Sequence, residues 1–94
     1  MRDLSQSSEA LIATARASRL AFLRTELRVA NTMLNLAATS RDAGDRERRR
    51  DRAREACREV ARHLAVAESP NALSARERVE LASGMRAIEQ RMAG

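Results

Sequence analysis

Residues 20–37 read LAFLRTELRVANTMLNLA, and this stretch decides the fold. Leu20, Leu23, Leu27, Ala30, Leu34 and Ala37 recur at spacings of 3, 4, 3, 4 and 3. That alternation keeps apolar side chains on one side of an α-helix and makes an a/d seam. A flanking stripe of Leu11, Ala15, Ser18, Phe22, Val29, Met33 and Leu36 widens the face enough to contact two helices. The pattern predicts a helix over about residues 7–40, roughly 50 Å long at 1.5 Å per residue. Asp3, Ser5, Ser7 and Ser8 are its candidate caps. Ser40–Gly44 ends it, with Gly44 suited to a left-handed turn.

Beyond the turn, residues 45–54 read DRERRRDRAR. Asp45 is a good N-cap for a second helix over about residues 46–67. The apolar stripe of that helix is Ala53, Cys57, Val60, Leu64 and Ala67, at spacings of 4, 3, 4 and 3. Arg46, Arg49 and Arg50 extend the same stripe. Unpaired charge at positions facing other helices is costly to desolvate. Either the stripe runs out of the bundle here, or something anionic meets it. Glu68-Ser69-Pro70-Asn71 then breaks the chain, because Pro cannot continue a helix. Ser74-Ala75-Arg76-Glu77 matches a capping box and opens a third helix over about residues 75–92. Its stripe is Leu81, Met85, Ile88 and Met92, interrupted by Gly84, which costs about 1 kcal/mol relative to Ala and is read as close packing or tolerance. Short connections make neighbouring helices antiparallel. The expectation is a single all-α domain over residues 1–94, an up-down-up antiparallel three-helix bundle with a long first helix.

Composition bounds the function. Of the 94 residues 44% are hydrophobic, but 19 are Ala and the only aromatic is Phe22. The core is therefore thin and leaves room for a partner, including a second copy as a homodimer. All 18 basic residues are Arg, and the net charge is +5. Arg grips phosphate and carboxylate bidentately, although a GC-rich, bacterial-like genome would also raise Arg and Ala together. The N-terminus lacks the apolar core of a signal peptide and no run approaches about 18 apolar residues, so no membrane is expected and the cytoplasm is the expected location.

Chemistry-bearing constellations are missing. One Cys and one His cannot build a Cys- or His-type metal site within one chain. Neither a Gly-rich phosphate loop nor a nucleophile elbow is present. Cys57 reads as a small core residue and His63 as a boundary residue. Glu26, beside the first seam, is expected to be half-buried and paired with an Arg of helix two such as Arg58 or Arg62. No catalytic, cofactor-binding or metal-ligating residue is assigned, and an enzyme is not expected.

The hairpin with Ala43-Gly44-Asp45 at its turn, small residues at Ala53 and Cys57, and a third helix behind it resembles a tetratricopeptide hairpin. The small residue follows the Gly one helical turn later than in that family, and the family's large aromatic positions are missing. The resemblance covers about 40 residues and implies a protein–protein scaffold without catalysis.

Two functional readings follow. In the first, a small helical protein–protein interaction module self-associates through the seam Leu20, Leu23, Leu27 and Leu34. In the second, Arg46, Arg48, Arg49, Arg50, Arg52 and Arg54 bind nucleic acid or another polyanion through phosphate contacts. Against the second stand the interleaved Asp42, Asp45, Glu47 and Asp51, and the lack of aromatics for base stacking. The bland alternative lays Arg49 and Arg50 over the end of helix one near Leu36, reaching Asp42.

Overall fold

The computed structural model describes residues 4–66 and 72–93. Three helices follow in order: α1 (Leu4–Thr39), α2 (Ala43–Ala65) and α3 (Ala75–Ala93). They form an all-α up-down-up bundle in which α1 touches both other helices. Among the described residues there is no strand. The Pro70 break, Ala67 and the Asp3 cap fall outside the described residues, while Ser5, Ser7 and Ser8 lie within α1 rather than before it.

Polar ties between α1 and α3 show that these two helices run parallel. Arg16 meets Glu77, Arg24 meets Glu80, and Arg91 donates to the side-chain carbonyls of Asn31 and Asn35. The contacts climb together along both helices.

The turn between α1 and α2 is tighter than the sequence reading. Only residues 40–42 separate the helices. Asp42, extended at φ −91° and ψ 124°, is the N-cap, and its carboxylate accepts the Asp45 N–H at 2.8 Å. Asp45 is instead a first-turn residue of α2, and its carboxylate takes Arg48. Gly44 is also inside that first turn, and no described Gly has positive φ. Asp42 wins because its side chain reaches the free amides from outside the helix, as a cap must. At α3 the expected capping box forms: Glu77 N–H donates to Ser74 Oγ at 3.2 Å, and Ser74 N–H donates to Glu77 Oε1 at 2.8 Å.

The core has two clusters. Near the α1–α2 turn, Ala30, Leu34, Ala53, Ala56, Cys57 and Ile88 are buried together; at the other end Leu20, Leu23, Val60, Leu73 and Leu81 are. Leu27 and Met85 pack against both. Ala30, Ala53 and Ala56 are fully buried, the small side chains that close helix packing favours. Gly84 belongs to the same design: a Cβ there would stand 3.0 Å from Leu27 Cδ1. The missing side chain brings α3 down onto the seam of α1.

Because α3 settles on the seam, the flanking stripe of α1 does not receive a second helix. Met33 packs inward, but Leu11, Phe22 and Leu36 stay exposed at 71%, 45% and 40%. The first helix also outruns its partners. Residues 8–15 are exposed on every side, and the molecule measures 63 × 21 × 15 Å.

Candidate functional site

The arginine-rich start of α2 divides by helix face. Arg48 pairs with Asp42 and Asp45, Arg54 with Glu47 and Asp51, and Arg52 with Glu26. These three are neutralised where they stand. Arg46 and Arg50 face the other way, toward the end of the bundle. The Arg46 guanidinium donates to the Ser40 carbonyl at 3.0 Å, and that of Arg50 to the Met92 carbonyl at 2.6 Å. Arg49 is half-buried and has no ion pair or hydrogen bond among the described residues. The expected reach of Arg49 and Arg50 to Asp42 is therefore corrected. The α2 helix starts earlier than expected and turns Arg50 onto α3, leaving Asp42 to Arg48.

The groups that meet the arginine stripe are helix C-termini. Carbonyls in the last turn of a helix lack intrahelical donors and carry roughly half a negative charge between them. Arg46 serves the end of α1 and Arg50 the end of α3. At the opposite end of the molecule Arg78 donates to the carbonyls of Leu64 and Val66, at the end of α2. Each helix thus ends on a guanidinium from another part of the chain.

Arg46 and Arg50 share a cleft of about 270 Å³ with Arg91, floored by Leu34, Ala37 and Ala38. Arg91 was not among the sequence candidates. The up-down-up order carries the last turn of α3 to the α1–α2 turn, and the side-chain packing there sets Arg91 beside Arg46 and Arg50.

Glu26 is buried to 13% side-chain exposure and pairs with Arg52, with Nη2 to Oε1 at 3.3 Å, rather than with Arg58 or Arg62. The reading had the right helix and the wrong turn. The observed partner lies six residues before Arg58 on α2, about 9 Å along the helix axis at 1.5 Å per residue.

The seam candidates Leu20, Leu23, Leu27 and Leu34 lie in the chain's own core, with Leu23 wholly buried. Their expected role as an interface is corrected: α2 and α3 already cover them. What α1 leaves outward is a second seam. Leu11, Ala15, Ser18, Phe22, Thr25, Val29, Thr32 and Leu36 keep the spacing 4, 3, 4, 3, 4, 3 and 4. All are exposed except the half-buried Val29. None is charged, in a chain one-third of whose residues are. Thr25 and Thr32 are the positions the sequence reading missed, because only with them does the heptad run unbroken.

At the edge of this stripe the Phe22 and His63 rings lie 6.1 Å apart, tilted by 56°. His63 Nε2 is 3.3 Å from Glu59 Oε1, but Glu59 is shared with Arg62. Burial, with the positive charges of Arg19 and Arg62, holds the imidazole below its ordinary pKa. Cys57 is buried, and desolvation followed by the Glu89 charge raises its thiol pKa. Among the described residues no group of three His, Cys, Asp or Glu side chains is placed to hold a metal ion. No described helix is long and apolar enough to cross a membrane.

The tetratricopeptide resemblance loses its anchor, since Gly44 sits within α2 and not at the turn. No protein-family model, curated protein or solved structure matches the chain.

Proposed function

We propose that the protein is a non-enzymatic helical interaction module that self-associates through the outward seam of α1. The observation that carries this reading is the uncharged heptad from Leu11 to Leu36. A solvated helix face normally carries charge, and the rest of this chain is rich in it. Four-three spacing held over more than three heptads is the pattern by which helices pair along their length. Small residues at Ala15 and Ser18 allow close approach, and Leu11, Phe22 and Leu36 supply apolar area. The nucleic-acid reading has less behind it, because Arg48, Arg52 and Arg54 are already paired with carboxylates.

Sedimentation equilibrium tests the proposal. The wild-type chain should pass from monomer toward dimer as its concentration rises. Phe22→Arg and Leu11→Arg, at exposed positions, should keep helicity and thermal midpoint but remain monomeric. A wild-type chain that is monomeric up to about 1 mM, where association would contribute only about 4 kcal/mol, overturns self-association. So does a pair of variants that dimerise as the wild type does.

A further inference from the structure

The cleft at the turn end of the bundle gathers three cations and, among the described residues, no carboxylate side chain. Arg46 and Arg50 come from α2 and Arg91 from α3. Among the described residues, none of the three lies within ion-pair distance of an acid; their partners are the Ser40 and Met92 carbonyls and two Asn side chains. The carbonyls belong to the C-terminal ends of α1 and α3, each equivalent to roughly half a negative charge. Against three full positive charges, the two helix ends leave about two uncompensated among the described residues. Elsewhere on α2, Arg48, Arg52, Arg54 and Arg62 each pair with a carboxylate.

We propose that this cleft binds a phosphoryl anion. Each guanidinium has five donors, and most of those in the cleft are unspent. Forked donors from two helices suit the several oxygens of a tetrahedral dianion, whereas a carboxylate is satisfied by one Arg. The cleft, of about 270 Å³, has room for phosphate or pyrophosphate. Leu34, Ala37 and Ala38 form a floor of low polarity, which strengthens charge-assisted hydrogen bonds above it.

Pyrophosphate is the probe, titrated into the full chain at constant ionic strength and followed by calorimetry and by the guanidinium Nε–H resonances. Saturable binding is expected, with shifts at Arg46, Arg50 and Arg91. Arg91→Gln and Arg46→Gln should each weaken it about tenfold or more, the loss of a charge-assisted contact. Arg76→Gln, about 22 Å away along α3, should leave it unchanged. Ellipticity and thermal midpoint confirm that each variant is folded. Displacement of pyrophosphate by a DNA oligonucleotide would place the phosphoryl group on a nucleic-acid backbone; failure to displace would assign the site to a small phosphate. Absence of saturation by about 10 mM, or an Arg76→Gln loss as large as that of Arg91→Gln, overturns the proposal.

Discussion

Asp42 closes the N-terminal amides of α2, while Asp45 is a first-turn carboxylate held by Arg48. Their contributions separate by substitution. Asp42→Ala should cost about 1 kcal/mol of stability, the typical loss of an N-cap, and Asp45→Ala clearly less, both read from urea denaturation followed at 222 nm. Equal losses would return the cap to Asp45. This is also where legibility from sequence divides. The Ser74–Glu77 box was readable because both partners lie within four residues and one backbone turn decides the geometry. The Glu26 partner was not, because it depends on register, and register depends on the length of a connection whose capping residue was misassigned. The burial of Cys57 and the half-buried place of His63 at the edge of the stripe were readable, because the helical wheel alone sets how far each lies from the stripe's centre.

At the scale of elements, the start of α3 is a polar joint whose two carboxylates are harder to protonate than ordinary ones. The Ser74 backbone N–H, then its hydroxyl and Arg16, hold Glu77 below the ordinary carboxylate range, and Arg24 does the same for Glu80. A depressed acid favours the folded state above its unfolded pKa, and that preference is lost as pH falls through the folded pKa. The thermal midpoint should therefore drop as pH falls below about 4, and Glu77→Gln should flatten the drop. An unchanged acid limb in Glu77→Gln would remove Glu77 from the account. His63, also depressed, has the same sign in a higher window: neutral imidazole suits the fold, so acidification from about pH 6.5 costs some stability as well. The long first helix was plain from its periodicity. The outward heptad was not, because Ser18, Thr25 and Thr32 interrupt its apolar character and it shows as a seam only when uncharged residues are counted with apolar ones. Gly84 lies close against Leu27 of the covered seam, a contact between residues far apart in sequence.

For the whole molecule, two clusters joined by Leu27 and Met85 make one core. Leu23 is completely buried in it, and Leu23→Ala should cost about 2–5 kcal/mol, measured by denaturant unfolding; a cost under about 1 kcal/mol would mean that the core end around Leu20 and Val60 is loose. The elongated outline, 63 Å by 21 by 15, comes from α1 continuing past the ends of both partners. An isolated helix shorter than about 12–15 residues is marginal in water, and residues 8–15 have only one another to lean on. Amide hydrogen exchange should therefore grade along this single helix, from within seconds to minutes at Leu11 and Ile12 to the global unfolding limit at Leu23 and Ala30. Such a helix is a built-in gauge: its slow segment reports the stability of the fold, and any slowing at its tip reports that something has come to lie alongside.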